Sequence, residues 1–121
     1  MGSLKLLDTN VLIYHLNGQL DHTLGKGSFA ISILSEIEVL GFKGLSTSDL
    51  DHLRNLIADL TVVPIDDAIK EKTIELRSTT NLRLPDAIIV ATALVIGADL
   101  MTNDQSLLKF PGLTTLAPVL K

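Results

Sequence analysis

A chain of 121 residues, 46% hydrophobic and 20% charged, suits one domain, 1–121, and is too apolar for intrinsic disorder. It contains no cysteine, which excludes a disulfide framework, a thiolate zinc site and a thiol nucleophile. Ten lysines and arginines against fourteen aspartates and glutamates give a net charge of −4, which opposes nucleic-acid binding through the usual basic footprint.

Short runs of Leu, Ile and Val alternate with stretches of helical period. Leu4 to Leu7 reads as a buried strand, stopped by the turn and cap residues Asp8-Thr9-Asn10. Val11 to Leu16 follows as a short helix, with Gly18 just beyond it to end it. Phe29 to Ser32 is a second strand, running into a helix from about Leu34 to Leu40. Ser46-Thr47-Ser48-Asp49 opens a helix whose stripe is Leu50, Leu53, Leu56, Ile57 and Leu60. Thr61 to Ile65 is β-branched and brief, a third strand. Asp66 caps a helix carrying Ile69, Thr73 and Leu76 on one side. Asp86 to Ile96 is apolar nearly all round, a central buried helix too short for a bilayer, which needs about 20 residues. Ala98 to Thr102 gives a fourth strand and Leu113 to Leu116 a weak fifth.

Apolar strands separated by helices predict an α/β sandwich around a parallel sheet of four or five strands, because parallel strands need helical crossovers that cover both faces. Met1-Gly2-Ser3-Leu4-Lys5 lacks a basic segment followed by an apolar core, so the expected location is cytoplasmic, without a membrane.

In open α/β sheets, ligands bind outside the carboxyl ends of the strands. Asp8 follows the first strand directly, and Asp104 follows the fourth after Thr102-Asn103. Asp86 stands at the mouth of the most apolar helix, in Leu84-Pro85-Asp86-Ala87. Glu36 and Glu38 lie on the helix after the second strand, about 200° apart, so only one faces a given site. Each acid also has an ordinary explanation. Asp8 would serve as an N-cap, Asp86 as a first-turn acid on the helix dipole, Asp104 as a turn residue and Glu38 as a solvated helix residue. Jointly, carboxylates converging on one crevice would repel unless a cation lay between them. Hard divalent ions such as Mg²⁺ or Mn²⁺ suit such an oxygen-only set and promote phosphoester cleavage.

Four segments resemble the motifs of PIN domains: Leu6-Leu7-Asp8-Thr9-Asn10-Val11-Leu12-Ile13, Ile31 to Gly41, Leu84 to Ala93, and Leu100 to Asp104. In the second, Ser32 and Ser35 lead at three-residue steps to Glu38. The order and spacing of the four segments cover essentially the whole chain, and its compact length most resembles the VapC-type toxin ribonucleases of toxin–antitoxin pairs. The resemblance implies a three-layer α/β/α fold and an Mg²⁺- or Mn²⁺-dependent endoribonuclease with the acidic quartet Asp8, Glu38, Asp86 and Asp104. It implies metal ligation by Asp8, Asp86 and Asp104, with Glu38 holding metal or orienting water, and with Asn10 and Thr102 steadying the carboxylates. It also implies a cognate small antitoxin and a homodimer. The chain departs from the pattern at Leu107, where an aromatic residue is common and would serve packing or base stacking.

His15, His22 and His52 show no metal-ligand spacing, and no phosphate-cradling GxxxxGK[ST] or GxGxxG or nucleophile-elbow GxSxG occurs. Lys70, Lys72, Arg77 and Arg83 form the densest basic stretch, either a solvated helix face or, through Arg77 and Arg83, an RNA contact. Two other readings compete: a phosphatase using Asp8, disfavoured because Asn10 stands where a second Asp is wanted, and a catalytically silent PIN-like interaction module. A nuclease of RNA processing outside any toxin pair is a third. Setting the quartet aside leaves ten acids against ten basic residues, so the net charge of −4 equals that of the proposed site.

Overall fold

A computed structural model describes residues 4–21 and 29–121; Met1 to Ser3 and His22 lie outside them. Five strands, β1 (Lys5–Leu7), β2 (Phe29–Ser32), β3 (Thr61–Val63), β4 (Asp99–Met101) and β5 (Thr115–Leu116), form one sheet in the order β3-β2-β1-β4-β5. Every pairing is parallel, with Leu6 opposite Ala30 on one side and Leu100 on the other. The helices are α1 (Thr9–Leu16), α2 (Ile33–Leu40), α3 (Thr47–Ile57), α4 (Asp67–Thr79), α5 (Leu84–Ile96) and α6 (Gln105–Leu108).

Alternate strand residues point to opposite faces, and the core divides accordingly. Leu7, Phe29, Ile31 and Met101 pack with Val11, Leu12, Val39 and Ile57 of α1 to α3. Leu6, Ala30 and Leu100 pack on the other face with Ile69 and Leu76 of α4 and with Ala87, Ile89, Val90, Ala91 and Ala93 of α5. The result is the expected three-layer α/β/α arrangement around a parallel sheet. Strands buried on both faces carry no polar alternation, which is why Leu6-Leu7 and Leu100-Met101 are consecutive apolar residues with no exposure.

The strand order reverses at β1. The chain leaves β1 for β2 and β3 on one flank, then returns past β1 to β4 and β5 on the other. A crevice opens at the carboxyl ends of two strands whose connections depart in opposite directions, here β1 and β4. The backbone carries this pairing one step further: Asp8 donates its N–H to Met101 O at 3.0 Å, and Thr102 donates to Leu116 O at 3.0 Å.

Several boundaries differ from the sequence reading for local reasons. Helix α1 begins at Thr9 rather than Val11, because Asp8 Oδ1 accepts the Thr9 N–H at 2.8 Å. Helix α5 begins at Leu84 rather than Asp86. Pro85 fits its first turn, where an N–H has no helical partner, and Asp86 therefore stands inside the helix. Gly97 ends α5 at φ 69°, a left-handed turn with open space around it, so backbone freedom rather than room favours glycine there. The four-residue α6 is absent from the sequence reading, since one turn displays no periodicity. Its Leu107, where the resemblance would lead one to expect an aromatic residue, is wholly buried in the core, so it packs rather than stacking on a base. No described helix is long and apolar enough to cross a membrane.

Candidate active site

One cavity of about 240 Å³ is lined by Asp8, Thr9, Asn10, Glu38, Pro85, Asp86, Ile89 and Asp104. The four acids singled out in the sequence thus come together from four separate segments: the end of β1, α2, the first turn of α5, and the loop after β4. Glu36, the competitor of Glu38, is not among the lining residues.

Asp8 sits where the sheet ends, and both its oxygens are occupied. Oδ1 accepts from Thr9 N at 2.8 Å and Oδ2 accepts from Thr102 Oγ1 at 2.8 Å. Thr102 is fully buried, and the same hydroxyl accepts the Asp104 N–H at 3.0 Å. One threonine at the end of β4 thereby steadies the Asp8 carboxylate and the backbone of Asp104. Asp104 Oδ1 accepts from the backbone N–H and the hydroxyl of Ser106, at 2.9 and 2.7 Å, and so caps α6 as well as facing the cavity.

Glu38 is exposed, and its Oε1 accepts from Thr9 Oγ1 at 2.9 Å. Asn10 is exposed on the cavity lining; the side-chain hydrogen bonds to the acids come from Thr9, Thr102 and Ser106 instead. Thr9 and Ser106 are the residues the sequence reading missed as participants. The signal for Thr9 was its place between Asp8 and Asn10; for Ser106 there was none beyond its following an aspartate by two.

Asp86 has its pKa raised above the usual 3.8, first by burial and then by the negative charges of Asp8 and Asp104, with a smaller contribution from Glu38. Arg83, at the N-cap of α5, opposes this shift. Asp86 therefore feels the charges of the other three acids across the cavity. As the side chains lie, no three His, Cys, Asp or Glu among the described residues close on one point. The donor set nevertheless fits a hard cation: its charged groups are all carboxylates, with no histidine or thiol in the lining, and a positive charge among them would relieve the repulsion at Asp86.

The basic stretch divides on inspection. Lys70 lies 3.7 Å from Asp67 and 3.9 Å from Glu71, all three exposed, and the half-buried Lys72 lies 3.1 Å from the exposed Glu75. Arg77 donates from Nη1 to Leu82 O at 3.0 Å, tying the end of α4 to the loop before α5. Arg83, by contrast, opposes the upward shift of the cavity acid Asp86.

An α/β/α protein with an acidic crevice at its sheet reversal is the class these features define. The PIN domain family model matches residues 5–113, and the chain belongs to the PIN domain family, whose members are nucleases. Among solved structures it is similar to a toxin–antitoxin complex from Klebsiella pneumoniae, at 29% identity and a TM-score of 0.74, over 92% of this chain and 96% of that one. It also resembles DNA-bound VapBC from Salmonella typhimurium, at 23% identity and a TM-score of 0.76, over 93% and 96% of the two chains. For VapBC2 from Rickettsia felis, bound to a fragment of its promoter, the values are 17%, 0.74, 93% and 97%. No curated protein matches the sequence.

Proposed function

We propose that this chain, as a single domain over 1–121, is an endoribonuclease dependent on Mg²⁺ or Mn²⁺ and the toxin of a toxin–antitoxin pair. The observation that carries the reading is the convergence of Asp8, Glu38, Asp86 and Asp104 on one cavity at the sheet reversal.

Asp8, Asp86 and Asp104 would hold the metal. When bound, such an ion supplies charge neutralisation at the phosphate and makes water a better nucleophile. Glu38 orients the attacking water: Thr9 takes Oε1, which leaves Oε2 to accept the water's proton as the new P–O bond forms, while the old P–O bond breaks and the departing oxygen takes a proton from solvent water. Thr102 holds Asp8 Oδ2, which would limit the carboxylate's freedom and so help it to hold a metal. Arg83, beside Asp86, is the better placed of the two arginines to meet a phosphate.

An antitoxin partner is supported by a second, apolar hollow of about 350 Å³ that shares Thr9 and Glu38 with the acidic cavity. Ile13, Leu16, Phe42, Leu45 and Leu53 line it, and Phe42 is 72% exposed. A partner segment with apolar side chains in this hollow and a basic one over the carboxylates would cover both. A homodimer is proposed through exposed apolar side chains on α4 and α5, among them Ile74, Leu84 and Val95.

The test is incubation of the purified chain with a mixed RNA pool in Mn²⁺ or Mg²⁺, with and without EDTA. Cleavage that requires the ion supports the reading. Cleavage that persists in EDTA, or none under any condition, removes it.

A further inference from the structure

Glu38 is an exposed glutamate on α2, and a side chain with three rotatable bonds does not hold one direction in water unless something binds it. The structure supplies that hold from another element. Thr9, the first residue of α1, places its Oγ1 2.9 Å from Glu38 Oε1 and 2.9 Å from Ser35 Oγ. Ser35 and Glu38 are three residues apart on α2, hence on one face, and Thr9 fits between them.

A threonine hydroxyl has one proton to give. The bond to Glu38 uses that proton, so the contact with Ser35 has Ser35 as donor. Ser35 is fully buried and cannot exchange this bond for water. The order Ser35 to Thr9 to Glu38 is therefore fixed in direction, and its free end is a carboxylate oxygen in the acidic cavity. The same residue also donates its backbone N–H to Asp8 Oδ1. Thr9 thus ties the acid at the end of β1 to the acid on α2.

We propose that Thr9 is a positioning residue that, with Ser35 donating to it, holds the Glu38 carboxylate in register with Asp8 in the acidic cavity. The inference rests on the nuclease reading above for its catalytic consequence, though not for the geometry itself. Because Thr9→Val keeps the backbone bond to Asp8 and removes only the hydroxyl, it isolates the Glu38 arm. It also strands the buried Ser35 hydroxyl, so the double variant T9V/S35A is prepared beside it to remove that secondary cost.

Two readouts decide the matter. On metal-free protein, NMR scalar couplings of the Glu38 side chain should report one rotamer in wild type and Thr9→Ser, and rotamer averaging in both valine variants. On the Mn²⁺-loaded protein, both valine variants should lose about 10–100-fold in kcat with KM for RNA unchanged, and Thr9→Ser should recover most of it. A single Glu38 rotamer together with wild-type kcat in the valine variants would overturn the inference and leave the nuclease reading standing. A wild-type protein inert toward RNA in Mn²⁺ overturns the nuclease reading instead, and the couplings still decide whether Thr9 holds Glu38.

Discussion

Thr102 donates its hydroxyl proton to Asp8 across 94 positions of sequence, at 2.8 Å. The bond exists because β1 and β4 are adjacent parallel strands in register, Leu7 opposite Met101, so that the next residue on each strand meets its counterpart. The same oxygen accepts the Asp104 N–H. Two acids of the cavity are thus organised by one buried side chain.

Thr102→Val keeps the shape and removes both bonds. Loss of a hydrogen bond of this kind typically costs about 1 kcal/mol of stability. Metal-dependent cleavage should fall about 10–100-fold, the usual effect of removing a group that steadies a ligand. Denaturant unfolding and initial cleavage rates measure the two effects separately. A variant as unstable as predicted but fully active would show that Asp8 needs no such support.

Asp86 carries a pH prediction. Its folded-state pKa lies above the usual 3.8, so the folded chain binds this proton more tightly than the unfolded chain does. The stabilising contribution is complete below the unfolded value and is lost as pH rises through the folded one. At neutral pH Asp86 is therefore a net burden on the metal-free protein. Asp86→Asn should raise the metal-free Tm at pH 7, with a gain that shrinks toward pH 3, while abolishing cleavage. A lower Tm for D86N at pH 7 would mean that the charge is already compensated.

Divalent ion should reverse that burden. Mn²⁺ added to wild type should raise Tm in a concentration-dependent way, because binding to the native state alone stabilises it. EDTA should undo the rise, and acid should weaken it as the carboxylates protonate. In Asp8→Asn the rise should be much reduced. Equal Mn²⁺-induced shifts in wild type and D8N would place the ion elsewhere.

The two arginines should separate. Arg77 is engaged with the Leu82 carbonyl, so Arg77→Gln should cost up to about 1 kcal/mol of stability and leave the salt dependence of RNA binding unchanged. Arg83→Gln should weaken RNA binding and flatten the slope of log K against log salt by roughly 0.7–1. A flattened slope in R77Q with none in R83Q would reverse the assignment.

How much was legible in the sequence depends on the range of the interactions. The strands and long helices announce themselves through local pattern, as in the run from Ile88 to Ile96 or the capping box in which Ser46 Oγ accepts from Asp49 N and Asp49 Oδ2 accepts from Ser46 N. Asp8 and Asp104 stand out in the sequence because they follow strands, Asp86 because it opens the most apolar helix, and Glu38 because of its register in the second motif. What the sequence concealed is short or three-dimensional. Helix α6 is a single turn, and the roles of Thr9 and Ser35 depend on the packing of α1 against α2. Register favours Glu38 over Glu36, and of the two it is Glu38 that lines the cavity. The net charge of −4, an objection to RNA at first, equals in number the four acids that line one cavity.

The measurement closest to the centre of this account is the initial rate of RNA cleavage against Mn²⁺ concentration for wild type, D8N, E38Q, D86N, D104N and E36Q. We expect saturable, EDTA-sensitive cleavage by wild type and E36Q, with loss of at least most of the activity in the four cavity variants. Wild-type rates in D8N and D86N, or loss in E36Q with full activity in E38Q, would contradict it.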